Sequence, residues 1–191
     1  MNIILVRHGQ TDWNVKDLLQ GQTDIELNET GKIQAKETAE KLKSIKIDEI
    51  YVSPLKRTIN TAEEINKNRN IELKIEPRLI ERGFGDYEGK SKVQFKKYWN
   101  YETNESDNNV ESIKELFDRV YYFLKELENT YKNQDVTIAF VTHNGTNLAI
   151  TSILNGLKDN IFEYNLKPCE YRTFKNISLK SWEEFNEKYK I

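Results

Sequence analysis

The chain has 191 residues, with 29 Lys and Arg against 31 Asp and Glu, a formal net charge of −2 and 37% hydrophobic residues. That length and polarity suit one globular domain with a sizeable core. The near-balanced charge offers no basic field to a nucleic-acid backbone or an anionic membrane, so neither partner is expected, and any phosphate recognition must come from a few placed cations.

Residues 2–6 read as a buried strand. Arg7 ends the apolar run Ile3-Ile4-Leu5-Val6 after four residues, too soon for the core of a signal peptide, and no later stretch approaches the roughly 20 apolar residues of a membrane span. A cytoplasmic location is the expectation. Arg7, His8 and Gly9 then stand at the strand's C-terminal end, the edge where open α/β sheets bind ligands. A long polar loop runs from Gly9 to Asn28, and Thr30-Gly31 opens a helix with Ala35, Ala39 and Leu42 on one face. Glu49 to Val52 is a second strand. Ser53-Pro54-Leu55 reads as a helix start, serine before it and proline just inside, with Arg57 in the first turn and Thr58, Thr61, Ala62 and Ile65 on the packed face.

Ile71 to Ile75 alternates weakly as a third strand. The loop Pro77 to Gly89 carries Gly83, Gly85 and Gly89, which permit close backbone approach, among the charges of Glu81, Asp86 and Glu88. Residues 91–101 suit a short helix, and Thr103 to Asn109 an exposed connection. Ile113, Leu116, Phe117, Val120, Leu124, Leu127 and Tyr131 make the longest apolar stripe, opened by Ser112 and Glu115 at capping-box spacing. Val136 to Val141 then repeats the opening pattern: an apolar strand runs into Thr142-His143-Asn144-Gly145, followed by a helix from about Thr146 to Leu154. Cys169 is the one cysteine, so no internal disulfide can form; it reads as an incidental, partly buried thiol. Tyr171 to Phe174 and Ile177 to Leu179 look like edge strands, and Trp182 and Phe185 fall in a terminal helix or tail. The alternation of strand and helix predicts a three-layer α/β/α sandwich with a mostly parallel central sheet. Its two histidine strands must be neighbours if the histidines share a site.

Arg7, His8, Arg57 and His143 fall at strand ends or first helical turns. Two guanidiniums and two imidazoles suit a dianionic group with three oxygens, and the helix after His143 adds N–H donors and the positive end of a dipole. A neutral imidazole can attack phosphorus directly. The departing alkoxide then needs a proton, which a carboxylic acid can give before serving as base toward water. Spacing alone does not separate Glu81 from Asp86 or Glu88 for that task. No Cys/His cluster has zinc spacing, and neither a metal nor another cofactor is expected.

These residues resemble the histidine phosphatase superfamily, also called phosphoglycerate mutase-like. The resemblance begins with Arg7-His8-Gly9-Gln10-Thr11, Trp13-Asn14, Gln20-Gly21, Asp24, Leu27, Gly31 and Gln34-Ala35. It continues through Ser53-Pro54-Leu55, Arg57-Thr58, Thr61-Ala62, Glu81, Phe84-Gly85, Glu88-Gly89, Glu111-Ser112 and His143. It implies a phosphoglycerate mutase-like fold over residues 1–191 as a single domain with a lid-like insertion around 84–110. It also implies a histidine acid-type phosphatase: His8 as nucleophile, Glu81 as proton donor, and Arg7, Arg57 and His143 around the phosphate. Asn14, Gln20, Gly21 and, at the rim, Asn144 would line the pocket, and the partner would be a small-molecule phosphate ester. Two departures, Asn144-Gly145 after the second histidine and Gln10 for a frequent glutamate, touch the rim. Mutases of this resemblance carry tyrosine where this chain has Phe84, and a long insertion with adjacent arginines. Here only the 29 positions 82–110 intervene before Glu111-Ser112, and past Arg82 they hold no arginine. A hydrolase is therefore expected, with a cofactor-dependent phosphoglycerate mutase or a non-catalytic phosphate-binding domain as alternatives.

Overall fold

The computed structural model describes residues 1–94, 109–157 and 160–189. Five strands, β1 (Asn2–Arg7), β2 (Glu49–Val52), β3 (Leu73–Ile75), β4 (Thr137–Thr142) and β5 (Tyr171–Phe174), form one sheet in the order β3-β2-β4-β1-β5. All pairings are parallel except β1 with the edge strand β5. β1 and β4, the histidine strands, are adjacent, with Arg7 opposite Thr142. Both are buried along nearly their whole length because helices cover both faces, which is why their sequences read as unbroken apolar runs.

Six helices lie among the described residues: α1 (Asp12–Val15), α2 (Glu29–Leu42), α3 (Lys56–Asn66), α4 (Ile113–Thr130), α5 (Asn144–Asn155) and α6 (Trp182–Tyr189). Ile3, Leu5, Ile138 and Phe140 face one layer, packed with Leu116, Phe117, Val120 and Leu124 of α4, Ile150 of α5, and Trp182 and Phe185 of α6. Ile4, Val6, Ala139 and Val141 face the other, with Leu42 of α2 and Ala62 and Ile65 of α3. The period-2 alternation along β1 and β4 thus feeds two separate cores, and each fully buried aliphatic side chain contributes roughly 1.5–3 kcal/mol. Ser112 and Glu115 close the capping box of α4 reciprocally.

The structure corrects several expectations. α3 begins at Lys56 with Leu55 at its cap position and no side-chain cap, so Ser53-Pro54 belongs to the connection between β2 and α3 rather than to the helix start. β3 is confined to 73–75. The long polar loop contains the short helix α1, whose capping box pairs Thr11 with Asn14. Residues 177–179 form no strand: the Ile177 N–H donates to the Met1 carbonyl, but no ladder extends from it. Residues 91–94 are a bridge and turn rather than helix. The rest of the helix expected over 91–101, the connection at 103–108 and most of the lid-like insertion lie outside the described residues.

The loop after β1 is fixed by α2. Asn28 caps the helix at the Gly31 N–H, and the Gln10 N–H donates to Gln34 Oε1. A Cβ on Gly31 would sit 2.1 Å from the Gln10 carbonyl oxygen, so only glycine lets helix and loop meet.

Candidate active site

At the C-terminal edge of the sheet a cavity of about 280 Å³ opens, lined among others by Arg7, His8, Asn14, Gln20, Gly21, Arg57, Glu81, Phe84 and Asn144. His8 leaves β1 buried and wedged between two layers. The Gly9 N–H donates to Thr61 Oγ1 on α3, while the Cys169 N–H donates to the carbonyls of Arg7 and His8. The His8 Nδ1 lies 2.7 Å from the Gly9 carbonyl oxygen, which can only accept. Nδ1 therefore carries the proton and Nε2 the lone pair. Burial first, and then the charges of Arg57 and Arg7, push the His8 pKa well below its ordinary value, so the ring is neutral.

Arg57 is fully buried in the first turn of α3. Its Nη2 donates to the Gly21 carbonyl at 2.7 Å, its Nη1 to the Thr23 carbonyl at 2.8 Å and its Nε to His143 Nδ1 at 3.2 Å. Every partner is neutral. Burial lowers its pKa to about 10, which leaves it charged at neutral pH. Arg7 donates from Nη1 to the Leu166 carbonyl, and its buried Nε has no partner among the described residues. Neither guanidinium has a carboxylate in ion-pair contact among the described residues; Glu81 acts on both only through space, and buried cations so weakly compensated favour an anion beside them.

Glu81 stands across the cavity at the start of α5. Its Oε2 accepts from the Gly145 N–H, and its Oε1 from the N–H groups of Thr146 and Arg82. The helix N-terminus thus holds the carboxylate in place. The structure separates it from its sequence neighbours. Glu88 accepts from the backbone N–H groups of Gln22, Thr23 and Phe84, stapling the Gln20–Thr23 turn to the glycine-rich loop. Among the described residues, Asp86 meets Asn109 at 3.5 Å. Gly21 adopts φ +48°, and a Cβ there would run into the Glu88 carboxylate. Gln20 Oε1 accepts from Thr11 Oγ1, and the side-chain Oδ1 of Asn14 accepts from the Thr11 N–H. Asn144 donates to Asn165 Oδ1 at the rim.

His143 differs from its expected placement. It is fully buried, 5.1 Å from the His8 ring centroid to centroid, and lies behind the cavity wall rather than in it. Both ring nitrogens are engaged: Nδ1 accepts from Arg57 Nε, and Nε2 lies 2.7 Å from Ser53 Oγ. Ser53 escaped the sequence reading because its Ser-Pro context suggested a helix cap. The signal that could have found it is its position: it follows Val52, which pairs with Val141, so it shares the sheet edge with both histidines. Cys169 is a buried thiol pushed up to about 12 by burial, and its backbone rather than its sulfur serves the site.

The histidine phosphatase superfamily (branch 1) model matches residues 3–182. The chain belongs to this superfamily. It is 39% identical over 157 residues to the uncharacterized phosphatase PhoE of Bacillus subtilis, covering 81% of this chain and 77% of that protein. It is 32% identical over 170 residues to a 2,3-bisphosphoglycerate-dependent phosphoglycerate mutase of Bartonella henselae, covering 81% and 82%. Among solved structures, a phosphoserine phosphatase variant of Entamoeba histolytica in complex with phosphoserine superposes with a TM-score of 0.77 at 29% identity, over 94% of this chain and 95% of that one. The fold of this superfamily member is phosphoglycerate mutase-like. Among the described residues no group of three or more His, Cys, Asp or Glu side chains is placed to hold a metal ion, and no helix is long and apolar enough to cross a membrane.

Proposed function

We propose that the chain is a phosphomonoester hydrolase acting through a phosphohistidine on His8, with residues 1–191 working as one domain. The observation that carries this is the His8 ring: neutral, its lone pair on Nε2, in a cavity beside two guanidiniums without carboxylate partners. Phosphatase-named relatives support the activity. In this reading the phosphoryl oxygens lie against Arg7 and Arg57, with Asn14, Gln20 and Gly21 lining the floor and Asn144 the rim. His8 Nε2 bonds to phosphorus as the ester P–O bond breaks, and Glu81, which enters this step as the carboxylic acid, passes its proton to the departing oxygen and becomes the carboxylate. Water then attacks phosphorus, Glu81 takes its proton, the P–N bond breaks and inorganic phosphate leaves. His143 contributes through Arg57.

The mutase-named relative makes phosphoryl return to a second hydroxyl the competing reading. Phe84 on the cavity wall weighs against it, since it offers a substrate no hydroxyl. The deciding experiment is release of inorganic phosphate from phosphoserine, 3-phosphoglycerate, sugar phosphates and an aryl phosphate, with chelator present. Release is expected. No release from any ester, together with isomerisation of 3-phosphoglycerate, would replace hydrolase with mutase.

A further inference from the structure

The buried chain Ser53–His143–Arg57 carries an inference that rests on the proposed function and goes beyond it. Arg57 Nε can only donate, so His143 Nδ1, 3.2 Å away, must accept. An imidazolium, or the tautomer protonated at Nδ1, would set two N–H groups against each other there. The remaining form is neutral with its proton on Nε2, and that proton needs an acceptor in a site closed to water. Ser53 Oγ, itself fully buried and 2.7 Å from Nε2, is that acceptor. Ser53 is held in turn: its N–H donates to the Val141 carbonyl, and its own carbonyl accepts from Thr58 Oγ1. The usual partner for a buried arginine is a carboxylate, which would neutralise it. Here a neutral imidazole and two carbonyls orient the guanidinium, and Glu81, Asp24 and Glu88 act on its charge only through space, with no ion-pair contact among the described residues.

We propose that Ser53 is a positioning residue of this site. Its hydroxyl fixes His143 as the Nε2–H tautomer, and His143 then holds the Arg57 guanidinium against the cavity with its charge free for the phosphoryl group.

The chain has two histidines, so imidazole 15N spectra of the labelled protein contain two rings, and His8→Ala leaves only His143. In the otherwise unchanged chain, His143 is expected to show a protonated Nε2 and a lone-pair Nδ1 at neutral pH. The opposite tautomer, or an imidazolium, overturns the proposal without any change at Ser53. Ser53→Ala is expected to lose the single-tautomer pattern and to weaken inorganic phosphate binding about tenfold by calorimetry. Ser53→Thr, which keeps the hydroxyl, is expected to restore both. Ser53→Ala with an unchanged His143 pattern and unchanged phosphate affinity would show Ser53 to be packing alone. Neither readout needs turnover, so failure of the hydrolase reading would appear separately, in the ester panel.

Discussion

His8 and His143 leave adjacent parallel strands at one level of the sheet, each before a glycine-containing turn, and both rings are buried and neutral. Their bonding differs. His8 spends one nitrogen on its neighbour's carbonyl and presents the other to the cavity, whereas His143 spends both on protein partners. One sequence pattern therefore yields a ring available to a substrate and a ring that braces an arginine. The lesson is that a strand-end histidine is specified by what occupies its second nitrogen.

The sharpest test is His8→Ala. Turnover should fall on the order of 10⁴-fold or more, while inorganic phosphate still binds, because the guanidiniums remain. Undiminished release would end the distinction between the two rings. Glu81→Gln should cost about 10²- to 10⁴-fold on alkyl phosphates and far less on aryl phosphates, whose leaving groups need no proton; equal losses would remove Glu81 as the acid. His143→Ala should cost less, about 10- to 100-fold, mostly through weaker binding, since it removes a hydrogen bond to a charged group. A loss as large as that of His8→Ala with phosphate affinity intact would place His143 in the chemistry itself.

The smallest expected effect concerns stability. Burial, then Arg57, holds both ring pKa values well below the ordinary 6.5, with Arg7 adding at His8 and His8 adding at His143. Below pH 6.5 the unfolded chain takes up protons on these rings and the folded chain does not. Stability should therefore be insensitive to these groups above that pH and fall on acidification, by up to about 1.4 kcal/mol per pH unit for each ring. Denaturant titrations from pH 7.5 to 5.5 measure it. A curve flat over that range would mean the rings charge in the folded state.

Much of this was readable from the sequence because it rests on local patterns. β1 and β4 announce themselves by being apolar on both faces, α4 by its stripe and capping box, and the cavity by polar residues at strand ends. What was not readable depends on contacts between distant segments. Ser53-Pro54 carries a helix-start signal, yet the serine's hydroxyl lies against a ring 90 positions away. Ile177 to Leu179 alternates like a strand, but the N–H groups of Ile177 and Leu179 go to the Met1 carbonyl and the Glu128 carboxylate and build no ladder among the described residues. Glu81 and Glu88 are equally acidic in the sequence. Only the fold sets one at the start of α5 beside the cavity and the other on loop backbone.

The strand order carries a consequence for how the chain is made. β4 lies between β1 and β2, so the segments bearing Arg7 and His8 on one side and Arg57 on the other share no backbone ladder until it arrives. A nascent chain emerges from its N-terminus and cannot close such long-range pairings early. The first 136 residues thus hold both guanidiniums, one imidazole and the Glu81 carboxylate with no central strand to gather them. Insertion of residues 137–142 joins β1 to β2 and brings His143 to Arg57 in the same event, while the Leu166 carbonyl and Cys169 N–H that hold Arg7 and His8, and the edge strand β5, follow later in the chain.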